Sequence, residues 1–236
     1  MWVKICGTTS LEDAQLAADA GADALGFIFA PSPRQVSVSH VAAMIPRLPA
    51  ALETYGVFVN AGFDEIVSTV EEAGLSGVQL HSASDPALRV GLRRHFASHS
   101  GFRILQVLHF STATELASAL QSLSPDGSPG DSPDAVLVDS RTEQAAGGTG
   151  LPFDWAAARG AFRAAAPEVR LVAAGGLTPL NVTAAIESLQ PWGVDVVTGV
   201  EAAPGRKDPA LLQAFLATAR PAAGRAFPLA DGSARH

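Results

Sequence analysis

A cysteine and an aspartate close two short apolar runs, Val3-Lys4-Ile5-Cys6-Gly7 near the start and Ala135-Val136-Leu137-Val138-Asp139 past the middle. Both side chains can move protons: a thiolate removes one, and a carboxyl group that keeps its own delivers one. In a closed barrel of parallel strands the strand C-termini share one rim, so residues far apart in sequence face one bound molecule. Cys6 and Asp139 are therefore a candidate base and acid. Each taken alone has a plainer reading, since a cysteine ending a strand is commonly a small buried hydrophobe and an aspartate there can cap the next helix.

Such a rim needs strands that alternate with helices. Brief Val/Ile/Leu/Phe runs do alternate with longer segments of helical period, which predicts an α/β fold with a parallel sheet. The predicted strands are Trp2 to Cys6, Ala24 to Phe29, Tyr55 to Asn60, Gly77 to His81, Arg103 to Leu108, Ala135 to Asp139, Arg170 to Ala174 and Val194 to Thr198. Between them, Phe63, Ile66, Val67 and Val70, or Leu212, Phe215, Leu216 and Ala219, place apolar side chains on one helical face. Asp85-Pro86, Thr178-Pro179 and Asp208-Pro209 each put a capping oxygen before a proline that the first helical turn accepts. Eight such units in one run predict a single (β/α)8 TIM barrel over residues 1–220. Ser124 to Pro133 reads as a loop, and the Pro/Ala/Gly/Arg-rich residues 221–236 read as a disordered tail.

A chain of 236 residues with 47% hydrophobic content can bury a full core, and its net charge of −7 comes with no basic tract. Nucleic acid and membrane are thus not expected partners, and an anionic substrate must be held by individually placed Lys, Arg or backbone N–H groups. The single cysteine allows no internal disulfide, and the first strand begins too early for a signal peptide, so a cytoplasmic protein is expected, monomeric or homodimeric. Read as a ring, the strand ends offer Cys6, Phe29 with Arg34 soon after, Asn60, His81, His109, Asp139, Gly175-Gly176 and Thr198-Gly199. The last two pairs stand where barrels of this kind bind phosphate through backbone N–H groups. Gly147-Gly148-Thr149-Gly150 reads as a loop beside Asp139 that adds N–H donors, Gly148 among them. Each glycine alone reads equally well as an ordinary turn residue.

Nine stretches carry a resemblance: K-I-C-G-T-T (4–9), G-A-D-A-L-G-F-I-F (21–29), S-P-R-Q-V-S (32–37), G-V-F-V-N (56–60), V-Q-L-H (78–81), L-V-D-S (137–140), G-G-T-G-L-P-F-D-W (147–155), A-A-G-G-L-T-P-L-N-V (173–182) and G-V-D-V-V-T-G-V-E (193–201). In order and register they resemble the phosphoribosylanthranilate isomerases of tryptophan biosynthesis, from the first strand to about residue 208. The resemblance implies a (β/α)8 barrel and an Amadori rearrangement of an aminoaldose phosphate into an aminoketose phosphate, with no cofactor and no metal. It implies Asp139 as general acid for ring opening, Cys6 as the base that removes the C2 hydrogen, and Arg34 facing the anthranilate carboxylate. His81 and Asn60 are candidate walls of the same site, each also readable as structural. Other phosphosugar barrels would want a catalytic lysine with glutamates, or paired His and Asp metal ligands, at these strand ends. A non-catalytic phosphometabolite-binding barrel would keep the glycines without needing Cys6 and Asp139.

Tuning is needed on both groups. A free thiol titrates near ~8.5, and Lys4, two residues back on the same inward face and roughly 7 Å away, is expected to bring Cys6 down. Asp139 must hold its proton against a reference near ~3.9, so burial under substrate is expected to push it up. Because strands one and eight are neighbours in a closed barrel, Lys4 and Asp195 are expected to form a buried ion pair beneath Cys6. Where the family commonly reads D-V-S-S-G-V-E, this chain has Val197 and Thr198; parity places Val197 with Asp195, so a repacked barrel interior is expected there, with the Thr198 hydroxyl kept for phosphate.

Overall fold

The computed structural model describes residues 1–81, 85–109, 113–123, 132–139, 159–160, 162–163 and 169–220. Eight strands, each beside the next, close into one parallel barrel: β1 (Trp2–Cys6), β2 (Ala24–Ile28), β3 (Glu53–Phe58), β4 (Gly77–Leu80), β5 (Arg103–His109), β6 (Ala135–Asp139), β7 (Arg170–Ala174) and β8 (Gly193–Val196). Closure comes from β1 pairing with β8, in a register that sets Lys4 opposite Asp195. The helices between them are α1 (Leu11–Asp19), α2 (Val38–Met44), α3 (Phe63–Ala73), α4 (Pro86–His95), α5 (Ala113–Ser122), α6 (Val182–Leu189) and α7 (Pro209–Ala219). The segment between β6 and β7, where the sequence predicts a further helix, lies largely outside the described residues, as do Gly147 to Gly150, most of the Ser124 to Pro133 loop and the tail from 221.

The helices form where the sequence offers a stripe and a cap. In α3, Ile66, Thr69, Val70 and Ala73 are the buried face, and Gly74 ends the helix with φ 71°. In α7 the buried face is Leu212, Phe215, Leu216 and Ala219. Asp208 accepts from the N–H groups of Ala210 and Leu211, and Asp85 does the same for Leu88 at the start of α4. At the third predicted start the capping oxygen is present, since the Thr178 hydroxyl accepts from Leu180 N at 3.2 Å, but α6 itself begins only at Val182. There the Asn181 side chain accepts from Thr178 N at 2.7 Å and donates to Gly176 O at 3.0 Å, which makes this stretch a pinned turn.

The apolar residues divide into two cores. One lies between strands and helices and includes Val3, Ile5, Leu25, Phe27, Val136 and Val138. The other fills the barrel itself with Trp2, Ala24, Tyr55, Leu105, Ala135, Leu137 and Val172. Alternation along each strand sends one set out and the other in. Among the described residues no helix is long and apolar enough to cross a membrane.

Two boundaries shift in ways that matter for the site. β3 ends at Phe58, and Asn60 follows with φ 54°, a left-handed turn that stops the strand before the residue expected to close it. β8 ends at Val196, and a short 3-10 turn, Thr198–Val200, replaces its predicted end. That turn leads into a hairpin the periodicity did not predict, β9 (Glu201–Ala203) against β10 (Arg206–Lys207).

Candidate active site

A cavity of about 240 Å³ opens at the C-terminal end of the strands. Its walls come from the last residues of β1, β2, β6, β7 and β8, namely Cys6, Ile28, Asp139, Ala174 and Val196. Arg34, His81, Gly175, Gly176 and Thr198 also line it, so seven of the sequence-selected residues meet around one space. Three do not. Asn60 is exposed beyond β3 and is not part of the wall, Gly199 stands behind it, and Gly148 lies outside the described residues. Gly199 has a packing reason for its identity: a Cβ there would overlap the carbonyl of Leu177. His109 ends β5 toward the same rim, and its side chain is not described.

Beneath the rim the barrel is charged. Lys4 Nζ donates to Asp195 Oδ1 at 2.8 Å, and both residues are buried, Lys4 fully. The expected pair therefore exists, reached by two neighbouring strands whose inward side chains stand at one level. Gly26 on β2 leaves room for it: a Cβ there would come within 2.5 Å of Cys6 Sγ and 2.9 Å of Lys4 Nζ. Burial works to lower the Lys4 pKa, but the Asp195 and Cys6 charges prevail and hold the ammonium above its ordinary value.

The expected tuning of Cys6 is corrected in sign. Burial pushes its thiol up, Lys4 opposes this, and the Asp195 carboxylate adds to the rise, leaving the thiol above its ordinary value. The lysine's charge is largely neutralised by the aspartate it is bonded to. The pair and the thiol are both legible in the sequence, but the pairing itself weakens the lysine's effect on the thiol.

Arg34 is neither a solvated loop charge nor an unattached guanidinium. Its Nε and Nη2 donate to Glu201 Oε1 and Oε2 at 2.8 and 2.6 Å, a bidentate pairing along one edge. This hydrogen bonding raises the Arg34 pKa further. Glu201 is fixed in turn: Gly205 N donates to it at 3.2 Å, and so does Lys207 Nζ. Burial opposes ionisation of Glu201, but Arg34 and Lys207 overcome it and its pKa is lowered. The buried Lys207 also donates to the carbonyl of Cys6 at 2.6 Å, tying the hairpin to the residue at the end of β1. Burial draws the Lys207 pKa down, against the pull of Glu201. Glu201 and Lys207 were not selected from the sequence. Glu201 stood in a matched motif, but strands of three and two residues carry no readable period.

Val197 is also corrected. It lies one residue past β8 and forms part of the cavity wall, where a Cβ on Gly7 would stand 3.1 Å from its Cγ1, so it packs at the rim rather than inside the barrel. Gly175 and Gly176 have φ of 87° and 66°, a backbone that only glycine adopts easily twice in succession. Among the described residues no three His, Cys, Asp or Glu side chains converge as a metal site.

A family model described as N-(5'phosphoribosyl)anthranilate (PRA) isomerase matches residues 3–218. An N-(5'-phosphoribosyl)anthranilate isomerase of Pelobacter propionicus is 43% identical over 219 residues, covering 92% of this chain and 95% of that one. The phosphoribosyl anthranilate isomerase of Thermotoga maritima superposes with a TM-score of 0.78 at 33% identity, over 93% of this chain and 98% of its own. A crystal structure of the isomerase in complex with reduced 1-(o-carboxyphenylamino)-1-deoxyribulose 5-phosphate superposes with a TM-score of 0.73 at 32% identity and the same coverage. With its closed barrel and a rim that joins Cys6 to Asp139, the chain belongs to the N-(5'-phosphoribosyl)anthranilate isomerase family.

Proposed function

We propose that this chain converts N-(5-phosphoribosyl)anthranilate into 1-(2-carboxyphenylamino)-1-deoxyribulose 5-phosphate. The observation that carries the reading is one cavity walled by both Cys6 and Asp139 in a chain of this family. Asp139 donates a proton to the furanose oxygen as the C1–O bond breaks, and the anthranilate nitrogen supplies the electron pair, giving an open-chain iminium. Cys6 then takes the C2 proton, the electrons move into an enolamine, and protonation at C1 with loss of the C2 hydroxyl proton gives the ketone. C2 is oxidised as C1 is reduced in the same molecule, with protons carried by the enzyme's groups, so no external redox partner enters the balance.

The buried thiol supports a particular order of events. Its raised pKa makes thiolate scarce with only the protein's own groups around it. An iminium above Cys6 supplies the positive charge that Lys4, paired with Asp195, supplies only weakly, and a cation nearby lowers a thiol pKa. The base is thus drawn out by the intermediate it acts on. Arg34, held by Glu201 along its Nε–Nη2 edge, meets the anthranilate carboxylate, as the fork geometry of a guanidinium favours. The phosphate sits at Gly175, Gly176 and Thr198, where two left-handed glycines let backbone approach closely.

The test is loss of anthranilate-type fluorescence when the purified protein meets phosphoribosylanthranilate generated in situ, with the product identified by NMR. Formation of the aminoketose phosphate is expected. A folded protein that leaves the substrate to hydrolyse at its uncatalysed rate would overturn the proposal.

A further inference from the structure

One wall of the cavity belongs to a residue with a buried polar atom that has no partner among the protein's own groups. Gln79 lies within β4, and only 2% of it is exposed. Its carboxamide nitrogen stands 2.7 Å from His81 Nε2, a hydrogen bond in which the ring nitrogen accepts when its proton is on Nδ1. The Oε1 of the same carboxamide is buried and accepts no hydrogen bond. Trp2, Thr8 and Arg93 also carry a buried, unpartnered side-chain atom among the described residues, but of these four residues only Gln79 lines the cavity of Cys6 and Asp139.

A buried carbonyl without a donor lowers stability, and such groups are few in folded proteins. The other end of the same carboxamide is hydrogen-bonded to His81, so turning the group over keeps that bond and leaves one polar atom unpaired either way. Gln79 lines the cavity, so a ligand bound there can bring the missing partner as the carboxamide shifts toward it. The ligand class follows from what else the site holds. The carboxylate and phosphate of an aminoaldose phosphate are taken by Arg34 and by Gly175, Gly176 and Thr198 in the proposed isomerase site, which leaves the hydroxyls of the sugar between them. Rotating the carboxamide by half a turn would present an N–H in place of the oxygen, and a hydroxyl pairs with either.

We propose that Gln79 determines specificity in this site by hydrogen-bonding a hydroxyl of the open-chain sugar, with His81 as the group that aims it. The proposal rests on the isomerase reading and goes beyond it, because it assigns the contact to a residue one layer below the reacting pair. A group that meets its partner only in the complex is expected to weaken the free protein and strengthen the bound one.

Gln79→Met keeps the volume and removes both polar atoms. The expected result is an unfolding temperature equal to or above wild type, together with a kcat/KM about tenfold lower. His81 also loses a partner in this variant, so direct contact is read from binding. Versions of reduced 1-(o-carboxyphenylamino)-1-deoxyribulose 5-phosphate, each lacking one hydroxyl, are titrated against both proteins. One deletion should weaken binding to wild type about tenfold and leave binding to Gln79→Met unchanged. Gln79→Glu keeps an oxygen in the same place and should restore the sensitivity to that hydroxyl. The proposal is overturned if Gln79→Met unfolds at a lower temperature with wild-type kcat/KM, or if every deletion weakens all variants equally. Absence of turnover by the wild type would instead remove the isomerase reading itself.

Discussion

The two ends of the barrel interior are built on opposite terms. At the N-terminal end, Trp2 stacks on Trp192 with centroids 4.9 Å apart and meets Tyr55 edge-on at 6.1 Å, while Arg170 lies 4.7 Å over the Trp192 ring. The Tyr55 hydroxyl donates to Glu53 at 2.6 Å, and Arg103 bridges the same carboxylate. That end hides aromatic area and pairs the Tyr55 hydroxyl near the outside, with the Trp2 indole N–H as its one buried, unpartnered side-chain atom among the described residues. Further toward the strand C-termini the interior holds Lys4 of β1, Asp195 of β8 and Gln79 of β4, with Cys6 and Asp139 closing their strands at the cavity. The upper layers bury charge, keep a thiol above its ordinary pKa and leave a carbonyl unpaired. Stability is concentrated at one end so that chemistry can be held under strain at the other.

Asp195→Asn should break the contrast most severely. It orphans a fully buried ammonium, so unfolding in denaturant should show a loss of ~3–5 kcal/mol. It should also lower the Cys6 pKa, because the carboxylate that raises it is gone and Lys4 is no longer neutralised. Iodoacetamide alkylation followed against pH reads that shift. Trp2→Ala at the other end should cost a similar ~3–5 kcal/mol through the cavity it leaves, yet the folded fraction should keep its kcat. A kcat loss in Trp2→Ala that exceeds the loss of folded protein would mean that the two ends are not separate.

Glu201→Gln should act more narrowly, raising KM about tenfold with a smaller change in kcat, as Arg34 loses the charged partner that sets its angle. Equal losses in kcat and kcat/KM would place Arg34 in the chemical step instead. The smallest effect concerns pH. The free-enzyme thiol is protonated below its raised pKa, so kcat/KM should climb with pH above the ordinary thiol range. In the kcat profile the same limb should lie lower, since the bound iminium favours thiolate. Coincident limbs would remove the role given to the intermediate.

The barrel was legible because its signals are local: apolar runs of strand length, helical stripes such as Leu212, Phe215 and Leu216, and acidic caps before prolines. Lys4 and Asp195 were legible too, since strand parity and closure suffice to bring them together. What escaped depends on the balance of neighbours. The sign of the Cys6 shift needs burial weighed against a half-neutralised lysine. Arg34 was placed at the site, but its partner stands on a hairpin too short for any period. Gln79 was visible within V-Q-L-H as a strand residue, and its unpaired oxygen can be seen only once every possible donor has a position. Asn60 failed because one left-handed residue turns the chain off the rim.

The central claim is that the Cys6 thiol moves the C2 proton while Asp139 opens the ring. The most direct measurement follows phosphoribosylanthranilate deuterated at C2 of the ribose through turnover by wild type, Cys6→Ser and Asp139→Asn, with folding checked for each. The account predicts that wild type removes deuterium from C2 with a slowed rate, and that both variants stay folded while turnover falls by about 10²–10⁴. Loss of the label in Cys6→Ser at the wild-type rate would contradict it.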